Sequence, residues 1–495
     1  MLRKPRRRLR YGFKRAIRMA CERILLRSAK KRPRYAMTLT LGQIADWMHA
    51  EGVFDTNAQA LGYSIDSRTV NAGELFFAVR GERDGHDFVV AAIANGAVAA
   101  VVSQRWLPPA NFDEAKLVRV PDECDDCVLN ALQELAHRVR MRWGGRVIGI
   151  TGSAGKTTTK ECVAQVLAAR FRVLKTEGNF NNHLGVPLTL LRLEPACEVA
   201  VVEMGMNHAG EILALAKIAL PQWGIVSNVA AVHTEHFADG IEGVARAKRE
   251  LIDALPADGV AVLNGDDVRV KCFAEGAVAK PVLYGFGEWN EVRALQVEEL
   301  GLEGSRFVVQ VDGERCAMHL RLMGRHNVMN ALAAIAVGVR SGILLETCCR
   351  ALEAMRPAAK RGEVVAWQGA KIVNDTYNSN PRALGAMVQA LSTTPAARRI
   401  VVAGEMLELG PESAAMHREC GEAMAAAHID VLVGVRGLAE EMVDAARSAG
   451  VTAEFLPTPE AAGQWMHEHL RAGDVVLLKA SRGVRLERAL EALES

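Results

Sequence analysis

One string, Thr151-Gly152-Ser153-Ala154-Gly155-Lys156-Thr157, restricts the fold more than any other part of the chain. It follows an apolar, β-branched run at 147–150 and opens a helical segment. Glycines let backbone N–H groups wrap phosphate oxygens, the lysine neutralises terminal phosphates, and Thr157 can offer a hydroxyl to Mg²⁺. In that strand-loop-helix setting the string reads as a nucleotide site rather than a Gly-rich turn with a chance lysine. It is the shorter Gly-x-x-Gly-Lys-Thr form: Ile150 stands where the longer loop of motors and GTPases has its first glycine, which argues against those families.

Strands and helices alternate beyond the loop. Residues 199–204, 224–229 and 260–263 read as strands, with a helical pattern at 245–255 between the last two. Such alternation implies right-handed βαβ units and a parallel sheet. A second helix is expected over 327–339, then a break at Pro357, then strands at 371–374, 399–402, 431–435 and 475–478, each followed by helical periodicity. Ahead of the loop a helix at 41–50 precedes short strands, clearest at 75–79 and 97–102. No repeat with a period of 20 to 50 residues is evident. With 495 residues the chain exceeds one core, and about 150 residues per domain gives three. The expectation is an α/β protein: a basic extension at 1–36, a smaller mixed α/β domain at 37–145, a central P-loop parallel-sheet domain at 146–356 and a Rossmann-like α/β domain at 357–495.

Half the residues are hydrophobic and 24% charged, which excludes wholesale disorder. The longest apolar tract, 89–102, contains Asn95 and Gly96 and falls short of the roughly 20 residues a membrane-spanning helix needs. Ten cysteines, Cys348 and Cys349 adjacent, read as reduced core thiols, as expected of a cytoplasmic protein. The net charge of +2 conceals fifteen Lys or Arg against Glu22 within residues 1–34, which leaves an acidic body. This arm, with Ile17, Ile24, Leu25 and Leu26 as an apolar stripe, could lie on anionic lipid or nucleic acid. The alternatives are a solvated extension or an upstream start whose initiator is Met37. No nucleic-acid partner is expected, peripheral membrane contact through 1–36 stays open, and the chain is expected to be a monomer.

A magnesium-nucleotide enzyme needs further oxygen ligands. Glu203 ends the apolar run VAVVEMG, where a parallel sheet presents its functional edge. His233 follows another strand and could bind metal or orient a phosphate. Lys248, in ARAKREL, reads by composition as a solvated helix-surface lysine. His208, in MGMNHAGEI, is either an orienter near a reacting carboxylate or a helix-capping histidine. Cys124 and Cys127 form a C-x-x-C with no second ligand pair, so a zinc site is not expected.

The set TGSAGKTTTK, TEGNFNNHLGVP, VVEMGMNHAGEI, SNVAAVHTEHF, GRHNVMNALAA and NDTYNSNP resembles the Mur ligase family of ATP-dependent amide-forming enzymes. GEMLELG, IDSRTVNAGELFFAVRGERDGHDF and KASRGVRLE resemble its branch that adds a dipeptide. The resemblance runs from Met37 to the C-terminus. It implies ATP phosphates on Gly152, Ser153, Ala154, Gly155, Lys156, Thr157 and Thr158, and Mg²⁺ near Thr157 and Glu203. It implies a second Mg²⁺ at His233 and a carbamylated Lys248, adenine near Asn327 and Asn330, and Arg361 and Asp375 at phosphate and ribose. The substrate it implies is UDP-N-acetylmuramoyl-tripeptide, its UDP end at Asp66, Ser67 and Arg68 and its peptide passing Asn179, Asn181 and Asn182. The reaction implied is activation of the tripeptide carboxylate as an acyl phosphate, then attack by the amine of D-alanyl-D-alanine. Lys156, Lys248, His233, Arg361 and His208 are the candidate catalytic residues. Two departures touch the last domain: Ala480 replaces a glycine usual in KGSR, and Lys360 stands where glycine is common.

Another Mur-type ligase, adding the third residue, or a folylpolyglutamate synthetase is the competing enzyme reading. The chain lacks the Asp-Asn-Pro-Arg string associated with diamino-acid selection and has NDTYNSNP instead. A nucleotide-switched binding protein is the reading from another class; it would leave Glu203, His233 and Lys248 without a shared purpose.

Overall fold

β-Branched and aromatic runs bounded by turn residues supply the strands, and they collect into three main sheets that succeed one another along the chain. The computed structural model describes residues 37–122, 126–230 and 234–493; the basic extension, Cys124 and His233 lie outside them. The first sheet has four parallel strands, Gly62–Ser64, Glu74–Phe77, Ala99–Ser103 and Leu117–Val120. The last has six, with Glu363–Trp367 antiparallel at one edge and Ala370–Asp375, Val475–Lys479, Arg399–Gly404, Val431–Val435 and Thr452–Leu456 parallel.

The middle sheet has nine strands. Seven consecutive strands run parallel, from Val292–Glu299 to Val173–Lys175, and among them Arg146–Thr151 has Trp223–Val226 and Val199–Glu203 as neighbours. The expected parallel sheet is present, and from Val292–Glu299 the chain continues through Ser305–Val311 and Glu314–Leu320 as an antiparallel meander at one edge. Its strands alternate buried and exposed positions, as a sheet covered on one face does.

The loop-bearing helix, Lys156–Leu167, packs along Arg325–Arg340, an alanine-rich helix. Small residues let the two backbones approach, and a Cβ on Gly338 would stand 2.5 Å from Val166 and 2.6 Å from Cys348. One face of the middle sheet shares a continuous apolar core with the first sheet and with helix Cys127–Trp143. The last sheet has its own core on each face. Among the described residues no helix is long and apolar enough to cross a membrane.

Arg140 pins the first two domains together. It is 3% exposed, its Nε donates to the Ala219 carbonyl at 2.7 Å and its Nη2 to Leu220 at 3.1 Å, closing the end of helix Glu211–Ala219. Burial draws its pKa down to about 10. Arg140→Ala is expected to lower unfolding free energy by about 2–4 kcal/mol, since two helix-end carbonyls lose charged donors in a dry site. Denaturant unfolding checks it.

Candidate active site

The phosphate loop joins the end of Arg146–Thr151 to helix Lys156–Leu167, so the helix N-terminus and its unpaired N–H groups face the cleft. Two glycines carry the turn. Gly152 has φ +149° and a Cβ there would overlap Ser227; Gly155 has φ +80° and a Cβ would press on Asn330. The loop is tied from the next strand: Ser153 N donates to the Asn228 carbonyl at 3.0 Å and Ala154 N to Asn228 Oδ1 at 2.9 Å.

Lys156 folds over this loop and donates to the Gly152 carbonyl at 2.7 Å. Desolvation lowers its pKa, and Arg361 adds to that while Glu203 opposes it. Thr157 Oγ1 donates to Glu203 Oε2 at 2.9 Å, and Asn181 Nδ2 to Oε1 at 2.8 Å. Glu203 is 2% exposed and its N–H is taken by Thr176 Oγ1. A hydroxyl and a carboxylate beside a lysine-lined phosphate loop are the hard oxygen donors that Mg²⁺ selects. Among the described residues no three His, Cys, Asp or Glu side chains form a ready cage, which suits an ion that takes part of its ligand set from phosphates.

The last domain reaches into the same place. Arg361 Nη2 donates to Thr157 Oγ1 at 3.1 Å while its guanidinium lies 3.8 Å from the centre of the Tyr377 ring. Lys479 pairs with Asp375 and donates to the Asn378 carbonyl. These groups line one cleft of about 650 Å³ with Ser153 to Thr158, Asn179, Asn181, Glu203, Asn327 and Asn330. Asn327 donates to the Met323 carbonyl, and Asn330 is spent on Thr159 and Asn327, which ties the two packed helices together behind the cleft.

Other expected residues fall elsewhere. Asn182 is not among the cleft-lining residues; its Oδ1 accepts from Leu184 N and Gly185 N at the start of helix Gly185–Leu190. His208 sits at the entry to helix Glu211–Ala219, facing Glu211, its ring 4.4 Å from that of His236. Ser67 is buried and its carbonyl accepts from Asn95, while Arg68 grips Asp66 through a 2.7 Å ion pair on the first sheet. Lys248 contradicts the solvated reading: it is 2% exposed, and among the described residues no carboxylate or hydrogen bond meets it. Burial first, and Lys156 second, push its pKa well below the ordinary lysine value.

Several cleft residues escaped the sequence reading, namely Phe286, Arg325, His326, Tyr377, Lys479 and Arg482. His326 lies in the first turn of the helix in the quoted string GRHNVMN, which was the available signal; its buried Nδ1 has no hydrogen-bond partner among the described residues, and desolvation draws its pKa down to about 4.

Comparisons with known proteins agree with this arrangement. The family described as Mur ligase middle domain matches residues 150–338, "Mur ligase, glutamate ligase domain" matches 360–482, and "Mur ligase family, catalytic domain" matches 61–140. The UDP-N-acetylmuramoyl-tripeptide–D-alanyl-D-alanine ligase of Bacillus subtilis (strain 168) is 36% identical over 437 residues, 87% of this chain and 93% of that one. The chain belongs to the Mur ligase family. Among solved structures, MurF from Acinetobacter baumannii superposes with TM-score 0.84 at 28% identity, covering 94% of this chain and all of the other. MurF from Thermotoga maritima in complex with ADP gives 0.75 at 28% identity over 88% and 97%. The three-domain α/β architecture is thus that of a Mur ligase.

Both departures from the Mur ligase pattern have local compensation. Ala480 is fully buried against Gly404, where a Cβ would stand only 2.6 Å from it, so the side chain gained at 480 fits against a glycine. Lys360 has φ +61°, the left-handed region in which the expected glycine would sit without strain. Its Nζ pairs with Glu487 at 2.9 Å and its carbonyl accepts from Tyr377 N, which holds the strained residue beside Arg361.

His417 holds the loop carrying Glu408 into the cleft. It is fully buried, accepts from Met406 N at 3.0 Å through Nε2, and its Nδ1 faces the Ser413 carbonyl at 2.7 Å. That pattern needs a neutral ring, and desolvation lowers its pKa. A depressed histidine contributes stability above its ordinary 6.5 and loses it as pH falls through the lower folded value. Calorimetry below pH 6.5 is therefore expected to show falling stability in the parent and a weaker dependence in His417→Gln, with His326 and the carboxylates of lowered pKa, such as Glu211 and Glu487, contributing to the remainder.

Proposed function

We propose that this Mur ligase joins the amine of D-alanyl-D-alanine to the terminal carboxylate of UDP-N-acetylmuramoyl-tripeptide, with ATP converted to ADP and phosphate. The observation that carries the reading is the 36% identity to a ligase of that name across 93% of its length. The geometry supports it, because the third domain already places Arg361 on Thr157 of the phosphate loop. We further propose the domain limits 37–145, 146–356 and 357–495, with the nucleotide-sugar end at Ser67 and Arg68 on the first sheet.

The tripeptide carboxylate attacks the terminal phosphorus in line; the bond to the bridging oxygen breaks, and ADP leaves with the electron pair. This step is chiefly positioning and charge neutralisation. The loop N–H groups and Lys156 hold the phosphates, and Arg361 brings positive charge from the third domain. Mg²⁺, held by Thr157 and Glu203 when bound, would neutralise phosphate charge. Closure of the third domain excludes water from the acyl phosphate until the amine attacks the carbonyl carbon, phosphate leaves and the ammonium proton is lost. Asn179 and Asn181 line the approach of the peptide.

Lys248 completes the reading. A buried amine whose pKa is lowered gives up its proton more readily and is then nucleophilic; attack on CO₂ gives a carbamate and releases a proton, leaving an anion at this position. With His233 it would then offer ligands to a second Mg²⁺. His208, whose ring lies against that of His236, is proposed as an orienter only.

The test incubates the protein with ATP, Mg²⁺, UDP-muramoyl tripeptide and D-alanyl-D-alanine and weighs the product. The expected product is the UDP-muramoyl pentapeptide, with none formed from single D-alanine. Ligation of a different amine, or of none, overturns the reading.

A further inference from the structure

Behind the phosphate loop lies a row of charges of which the reaction as described uses only the innermost, Glu203. Lys160, one helical turn after Lys156, is 1% exposed, and lysines rarely sit so deep unpaired. Its Nζ lies 3.4 Å from Glu161 Oε1 and 3.7 Å from Glu203 Oε2. Glu161 is held in turn by Lys175, a partly exposed residue at the end of the edge strand Val173–Lys175. The signs alternate from solvent inward: Lys175, Glu161, Lys160, Glu203.

Glu203 takes direction from Thr157 and Asn181, but neither cancels its charge. Lys160 stands within ion-pair distance of the oxygen that accepts from Thr157. An ammonium and a divalent ion drawn to one carboxylate repel each other, strongly so where water is excluded. A bare ion therefore meets a carboxylate already partly neutralised, whereas an ion carrying a triphosphate brings enough negative charge to outweigh the lysine.

We propose that Lys160 is a positioning residue that acts as the resident counter-charge of Glu203 and makes divalent-ion capture conditional on nucleotide. Glu161 sets how much of that charge Glu203 feels, by sharing the ammonium. The inference rests on the reading of Glu203 as a metal ligand.

The experiment measures Mn²⁺ binding to the nucleotide-free full chain by electron paramagnetic resonance. Lys160→Met is expected to bind Mn²⁺ about ten-fold tighter than the parent, Glu161→Gln about three-fold weaker, and Lys160→Arg like the parent, with the differences shrinking when ATP is present. A merely structural role would shift Lys160→Met and Glu161→Gln in the same direction or not at all, and either result overturns the proposal. Should Lys160→Met not fold, Glu161→Gln decides: weaker binding supports the proposal, unchanged or tighter binding overturns it. Glu203→Gln separates the two levels. Parent-like affinity there overturns the metal reading itself, whereas lost affinity there with same-direction shifts in the other two overturns the role of Lys160 alone.

Discussion

Lys156→Ala is expected to lower kcat/KM by at least about a thousand-fold while leaving the fold intact. The magnitude follows from what a single preorganised cation is worth at a phosphoryl group in transfer, roughly 10³ to 10⁵ in rate. Lys156 lies over the loop and bonds the Gly152 carbonyl, so its removal takes away charge without opening the core. The helix N-terminus and Arg361 remain, so nucleotide binding should weaken less than turnover. Single-turnover kinetics with separately measured ATP affinity would check this, and parent-like turnover would sink the assignment of the loop.

Lys248→Ala should be nearly as damaging, at about a thousand-fold, and should be partly restored by added formate or acetate. The amine is buried, meets no carboxylate among the described residues and is pushed toward its neutral form. If its working state is a carbamate, the variant lacks an anion and leaves a space where a small carboxylate fits. The rescued rate should saturate with carboxylate concentration, and chloride at equal ionic strength should do nothing. If Lys248 serves only packing, Lys248→Met should be more active than Lys248→Ala and neither should respond to carboxylate.

The phosphate loop was legible because glycine and lysine spacing there answers directly to backbone geometry. So was the core of each parallel sheet, where buried strands read as unbroken apolar runs. The meander from Val292 to Leu320 was not, since strands covered on one face mix apolar and polar residues and resemble loop. Lys248 and Lys160 show a different limit. Sequence assigns lysine to solvent, and only packing reveals that both are buried, one meeting no carboxylate among the described residues and one between carboxylates. Asn182 and Asn330 sit inside informative motifs yet spend their amides on helix ends and helix pairing, which neighbouring letters do not disclose. His326 was within a quoted motif, but its desolvation, with Asp375 and Lys479 from the third domain acting on it in opposite directions, appears only in the folded structure.

The apolar core that runs unbroken from the first sheet through helix Cys127–Trp143 into the middle sheet makes this enzyme mechanically a two-part tool. The first sheet and the phosphate loop are thus one casting, so under the proposed function the donor carboxylate would be registered against its target by the fold itself. The last domain is built on cores of its own, so under the proposed closure it is the part left to move against that casting.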